Sequence, residues 1–274
     1  MIMGNKKSVR NWVISKSQKL RYRLTEPAAL QLARSRYGRL YDDQTENPLV
    51  SIIIATYNRS RILVERTIPA VLAQTYANVE AVIIGDCCID DTGKRIASLQ
   101  EPRVRFVDLP QRGRYPADPA SRWFVQGSVP RNKGLRLARG KWFGWISDDD
   151  LLLPNHVESL LRFAQRGEYE FVSAAYIAER RGEKIVIDVK DITPRIGGMQ
   201  TWLYRSYLRF FQWNTQSWRK SWDRPCDYDL QFRMARAGVR MGFLNEIVAY
   251  VPSVEGTNTV GLEAQLLCQT QGQG

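Results

Sequence analysis

The run LVSIIIAT after Pro48 is apolar without a break and rich in β-branched side chains. A strand wet on one face would alternate, so this one must be covered on both, as happens at the centre of a largely parallel sheet. A helix is expected next, from about Arg61 to Gln74, with Pro69 as a kink. VEAVIIG then reads as a second strand, residues 90–99 as a helix, and VRFVDL as a third strand. After the polar stretch QRGRYPADPASRWFVQGS come a helix from about Pro130 to Ala138, the strand KWFGWI and a helix opening near Pro154. This alternation predicts an α/β fold, a doubly wound, mostly parallel sheet flanked by helices. Strands FVSAAY and KIVIDV, the aromatic stretch TWLYRSYLRFFQW and a last helix from about Asp227 to Ala237, capped by Gly238, form a second half.

At 274 residues the chain can bury a core without staples. Its four cysteines, Cys87, Cys88, Cys226 and Cys268, have no zinc-binding spacing and read as reduced thiols. No stretch has the roughly 20 apolar residues of a membrane span, which predicts a cytoplasmic protein. Residues 1–48 hold ten Lys/Arg against four acids, half of the net charge of +12. We therefore divide the chain into a basic arm (1–47) and a domain (48–274) made of a first half (48–155), a second half (156–251) and a tail (252–274). Val9, Trp12, Val13 and Leu20 fall near one helical face of the arm, among cations. That pattern is compatible with an anionic membrane surface and equally with a helix packed on the domain, and nucleic acid is the least favoured partner.

Ligands of doubly wound sheets sit beyond the carboxyl ends of the strands. There WISDDDLLLP sets Asp148, Asp149 and Asp150 side by side, which is costly unless a cation such as Mg²⁺ neutralises them; a helix-capping Asp with exposed neighbours is the plainer reading. Asp86 closes the second strand, where a carboxylate can accept from a base or ribose. Asp90 and Asp91 read as first-turn helix residues. Arg131 and Lys133 lie at a helix start suited to phosphate. GLRLARGK misses the P-loop pattern, there is no GxGxxG or GxSxG, and the lone His156 excludes HExxH.

Together PLVSIIIATYNRS, VEAVIIGDCCIDDTG, PRNKGLRLARGKWFGWISDDDLLLP and CDYDLQFRMARAG resemble, in order, the segments of the family 2 glycosyltransferases of the GT-A fold. The likeness runs from about Pro48 to Val251. It departs at Ser147, where the first Asp of the usual D-x-D often stands, and at Cys226, a place often held by Glu. The resemblance implies a donor site of Thr56, Tyr57, Asn58, Arg59, Asp86, Arg131 and Asp148, with Asp86 accepting the uracil N3 proton. It implies a Mg²⁺ or Mn²⁺ ion on Asp149 and Asp148, and Asp227 as the base, with Asp229 as its competitor. The expected reaction is an inverting transfer from a nucleotide diphosphate sugar, UDP-sugar favoured, to a carbohydrate or lipid-linked acceptor. Its setting would be cell-surface polysaccharide or glycolipid synthesis, in the cytoplasm or at the inner membrane face. Trp202, Trp213, Trp218 and Trp222 could stack on sugars, although core packing is the commoner fate. The competing readings are a nucleotidyltransferase, which would usually show a Gly-rich phosphate loop, and a nonenzymatic basic protein binding nucleic acid or membrane.

Overall fold

The computed structural model describes residues 9–42, 47–180, 182–190, 194–219 and 225–253; Trp222, Cys268 and the tail from residue 254 lie outside them. Strands β1 (Val50–Thr56), β2 (Val79–Gly85), β3 (Val104–Asp108) and β4 (Trp142–Ser147) are parallel, in the spatial order β3-β2-β1-β4. All of β2 and nearly all of β1 are buried. The continuous apolar runs are explained by this two-sided cover, because successive side chains point to opposite faces. Ile53 and Ile84 enter one core with Trp145, Tyr204 and Leu230. Ile52, Ile54 and Ile83 enter the other with Ile146, Val157 and Leu160.

The helices that carry the chain between these strands are α2 (Ser60–Ile62), α3 (Ile68–Leu72), α4 (Thr92–Ser98), α5 (Pro119–Trp123) and α6 (Ser128–Leu137). Between α2 and α3 lies a π-turn, Leu63–Thr67, so the break anticipated at Pro69 falls in the turn before it. A proline lacks the N–H that would continue an α-helical ladder, and the wider turn accommodates that loss.

Beyond β4 the sheet changes direction. Strand β5 (Leu151–Leu152) and helix α7 (His156–Arg166) follow the acidic loop, then β6 (Phe171–Arg180), β7 (Glu183–Ile187), β8 (Leu203–Arg205), α8 (Cys226–Ala237) and β9 (Met241–Val251). Strand β8 is antiparallel to β4 and β6, β9 is parallel to β6, and β5 and β7 are antiparallel additions to β9 and β6. Among the described residues this makes one nine-stranded sheet. Helix α8 stops at Gly238, whose φ of +90° is one that other residues rarely adopt.

The aromatic stretch is mostly core, as the commoner fate of such residues suggested. Trp202 and Trp213 are buried, stacked with ring centroids 5.8 Å apart, and Trp145 meets Trp213 edge-on at 5.0 Å. Trp218 is partly accessible and carries the Arg219 guanidinium on its ring.

The described part of the basic arm is a helix, α1 (Val9–Asp42), and its inner side packs on the domain. Leu30 and Ala33 join the core, and Glu26 pairs with the buried Arg233 of α8 at 2.5 Å. Arg34 donates two hydrogen bonds to Glu170, of 2.7 and 2.6 Å. Glu170 also accepts from the Tyr207 hydroxyl and the Arg240 N–H, each at 2.7 Å. Burial pushes the Glu170 carboxyl up, but these donors outweigh it and hold it below the usual carboxylate range.

Candidate active site

The carboxyl ends of β1, β2 and β4 meet at one edge of the sheet, and the parallel register of β1 and β4 sets Ala55 opposite Ser147. The residues that follow each strand are therefore neighbours. Thr56 donates its hydroxyl to Asp148 Oδ2 at 2.7 Å, and the Asp86 N–H donates to the Thr56 carbonyl at 2.8 Å. On the other side of β2, Gly85 makes room for Asp108 of β3: a Cβ there would stand 2.3 Å from Asp108 Oδ1, the oxygen that helps hold the Cys88 N–H at 3.1 Å.

A cavity of about 320 Å³ opens over these strand ends, lined by Thr56, Tyr57, Arg59, Asp86, Arg131, Asp148 and Asp149. Seven of the eight residues expected at the donor and metal sites thus face one space. Asn58 does not. It adopts a left-handed conformation (φ 53°), and its side chain accepts the Ile89 N–H at 2.8 Å, so it fastens the β1 loop to the β2 loop. Lys133 lines neither this cavity nor the one beside it. Asp90 and Asp91 are not first-turn residues, because α4 starts at Thr92 with Asp91 as its N-cap; Asp90 precedes it and accepts from the Thr92 N–H and from the Ser60 N–H.

The acidic loop is held from behind. The Thr67 hydroxyl donates to the Asp148 carbonyl at 2.9 Å, and Arg66 donates to the Asp149 carbonyl. Burial, with Asp149 alongside, pushes the Asp148 carboxyl up to about 6 and the Asp150 carboxyl up to about 8. Asp150 is buried away from the cavity, so the cluster of three offers two carboxylates, with Arg59 Nη1 3.7 Å from Asp149 Oδ2. Among the described residues no group of three or more His, Cys, Asp or Glu side chains is arranged to hold a metal ion. Two carboxylates in a cleft still fit a hard cation of the Mg²⁺ type, which keeps several positions for water and substrate phosphates.

Residues 109–127 hold what the sequence reading missed. Gly113 donates its N–H to Asp86 Oδ1 at 2.8 Å, and the Arg112 guanidinium lies over the Tyr57 ring. Tyr115 is half-buried, with its hydroxyl shielded beside Asp86, and burial followed by that negative charge raises its hydroxyl pKa. Trp123 and Gln126 complete the wall. The available signal was a long polar segment with embedded aromatics beside a strand end, a common form for a binding loop.

A second cavity of about 410 Å³ shares Trp123, Gln126, Arg131 and Ser147 with the first. Asp227 lines it, together with Tyr176, Gln200 and Tyr228. Helix α8 begins at Cys226, with Pro225 before it, so Asp227 is inside the first turn and is not the N-cap. Its carboxyl is pushed up by burial, against the pull of the Tyr228 N–H, which it accepts at 2.9 Å, and of Arg131. Asp229, two residues on, is absent from this wall. It pairs with Arg233 Nε at 2.9 Å in the buried contact with α1.

The comparisons with known proteins agree with this architecture. A 117-residue stretch is 32% identical to the succinoglycan biosynthesis protein ExoO of Rhizobium meliloti, covering 43% of this chain and 30% of that protein. Over 132 residues the chain is 27% identical to the UDP-Glc:alpha-D-GlcNAc-diphosphoundecaprenol beta-1,3-glucosyltransferase WfaP of Escherichia coli, covering 48% of this chain and 47% of the relative. The alignments thus span about a third to a half of these relatives. Among solved structures, S. aureus TarS in complex with UDP-GlcNAc aligns with a TM-score of 0.57 at 16% identity, over 77% of this chain and 60% of that one. The mannosyltransferase PcManGT of Pyrobaculum calidifontis, in complex with GDP-Man and Mn²⁺, aligns with a TM-score of 0.56 at 14% identity, over 88% and 69%. At such identities the likeness concerns the fold, which is the GT-A type expected from the sequence. The model of Glycosyl transferase family 2 matches residues 51–117 and 126–224, more than half of the chain. The chain belongs to glycosyl transferase family 2.

Proposed function

We propose that this protein transfers a sugar from a nucleotide diphosphate sugar, with UDP as the favoured nucleotide, to an acceptor hydroxyl, inverting the anomeric carbon. The observation that carries this reading is the shared wall of the two cavities: Arg131 borders both, with Asp86, Asp148 and Asp149 on one side and Asp227 on the other. A donor in the first cavity and an acceptor in the second would meet at that wall.

Each residue then has a task. Tyr57 offers its ring face to the base, Asp86 accepts a base N–H, and Asp148, already bonded to Thr56, is beside the ribose. Arg131 faces the diphosphate. The Asp227 carboxylate takes the acceptor proton as the acceptor oxygen bonds to the anomeric carbon and the bond to the diphosphate breaks. With one base and no protein nucleophile, a single displacement follows. Mg²⁺ or Mn²⁺, held by Asp149 and Asp148, would offset the charge growing on the leaving diphosphate.

Among the fold neighbours, TarS was solved with UDP-GlcNAc and PcManGT with GDP-Man and Mn²⁺, which supports a nucleotide-sugar donor and a divalent ion without choosing the base. ExoO is named for succinoglycan biosynthesis and WfaP for transfer to a diphosphoundecaprenol-linked sugar, which supports a carbohydrate or lipid-linked acceptor in polysaccharide or glycolipid synthesis. The test is a screen of nucleotide sugars for hydrolysis, with and without Mn²⁺. Release of UDP that needs the ion and is lost in Asp149→Asn supports the reading. Turnover unaffected by chelator overturns the metal role, and preference for a GDP-sugar overturns the base.

A further inference from the structure

The two sides of α1 differ in chemistry. The inward side is spoken for by Glu26, Leu30, Ala33 and Arg34, which bind the domain. On the outward side Val9, Trp12, Val13, Leu20 and Leu24 are each more than half exposed. They recur at the three- and four-residue intervals of one helical face, with Lys16 and Arg23 on the same line and Arg10 and Arg21 along its edge. Residues 9–25 contain five Lys/Arg and no acid; Glu26 is the first, and it is buried. Scattered exposed apolar side chains are ordinary, but five in one stripe mark a contact surface.

We propose that this outward face docks in the plane of an anionic lipid bilayer, with Val13, Leu20 and Leu24 at the acyl boundary and Arg10, Lys16, Arg21 and Arg23 among the headgroups. Residues 9–24 span roughly 24 Å at the helical rise, enough to lie along the interface. No helix among the described residues is long and apolar enough to cross a membrane. Charge complementarity chooses the partner: a stripe whose only charges are cations fits a surface of anionic headgroups, while its five apolar side chains give a phosphodiester chain nothing to bind. The proposal is independent of the reaction assigned above.

The strap to the domain gives the docking a direction. Glu26 holds Arg233, Arg233 holds Asp229, and α8 carries Asp227 in its first turn. Nearer its start, α1 accepts the Arg219 guanidinium on Asn11. A membrane bound to the outer face of α1 would therefore lie at a fixed distance from the second cavity.

The test is co-sedimentation of the full chain with vesicles of phosphatidylcholine alone or mixed with phosphatidylglycerol. Binding to the mixed vesicles is expected, falling as salt rises, with little on phosphatidylcholine. Leu20→Glu with Leu24→Glu should abolish it while leaving the circular dichroism and thermal midpoint unchanged, because both side chains are exposed. Each of Arg10→Gln, Lys16→Gln and Arg23→Gln should weaken it by about fivefold. No sedimentation with anionic vesicles at low salt overturns the proposal. So does binding that survives Leu20→Glu with Leu24→Glu, or loss in that variant of a dimer seen by light scattering, which would assign the stripe to a second copy.

Discussion

The Arg112 guanidinium lies 3.6 Å from the centroid of the Tyr57 ring, on the face that the proposed base would take. A nucleotide base cannot enter unless Arg112 lifts by the thickness of a ring, after which the guanidinium covers the base as it had covered the tyrosine. Arg112→Ala removes that upper cover. It should weaken UDP binding by about 2–5-fold, the worth of one cation–π contact at a partly exposed site, measured by calorimetry. Tighter binding would mean that Arg112 competes with the base.

Asp86 has two tasks, since it would accept a base N–H and already accepts the Gly113 N–H. Asp86→Asn should cost UDP about 1–3 kcal/mol and loosen the loop around Gly113. Hydrogen exchange at the Gly113 amide would report the second effect apart from the first. Unchanged affinity with faster exchange would leave Asp86 a structural residue.

Asp149 is the carboxylate on which the metal proposal turns. With Mn²⁺ present, UDP at a hundred times its dissociation constant should stabilise the protein by about 2.7 kcal/mol. In chelator, or in Asp149→Asn, most of that should vanish. Equal thermal shifts in Mn²⁺ and in chelator would refute the assignment.

Asp227 and Asp229 should fail in different ways. Asp227→Asn is expected to fold normally and to lower transfer by about 10²–10⁴. Asp229→Asn removes one of two buried carboxylates from Arg233 and should cost about 1–3 kcal/mol of stability, with transfer by the folded fraction nearly intact. Urea unfolding and initial rates on both variants separate the two. Inactive but stable Asp229→Asn would transfer the base role to that residue.

How much of this was readable in advance depends on how directly burial was written into the chain. β1, β2 and β4 were legible because two-sided cover requires unbroken apolar runs. β9 was not, since its pattern is broken by Asn245 and Glu246, and its pairing with β6 shifts register between Ala174 and Ala175. β8 has three residues inside an aromatic run whose role depends on packing across the sheet. At the site, Thr56, Asp86 and Asp148 could be found because they end strands. Arg112 and Tyr115 could not, because a loop without periodicity gives no sign of which way it folds back. Asn58 was assigned to the donor site as part of a loop, and the structure turns it toward Ile89.

His156 is the only histidine, and burial pushes it down to about 4, with Nδ1 3.1 Å from the Val248 carbonyl and Nε2 without a partner. An unfolded histidine titrates near about 6.5. Between those values the unfolded chain binds a proton that the folded chain refuses, so stability is full above the upper value and falls as pH drops toward the lower one. The loss should reach about 3 kcal/mol. Urea midpoints across this range would show the slope, and proton NMR of the single imidazole would give the folded value. A midpoint near the ordinary histidine value would mean that Nε2 reaches water.

Glu170 makes the arm and the catalytic sheet a single inheritance. Its carboxylate is buried at the start of β6 and receives its strongest counter-ion from Arg34, far back in the chain. A domain cut free at Pro48 would keep the anion, with Arg240 and Tyr207 still beside it, and lose its strongest cation, a loss that should cost about 1–3 kcal/mol. The arm is therefore not a targeting tag that recombination could exchange for another. Any substitute must bring an arginine to the same place, which ties the choice of arm to the integrity of the core.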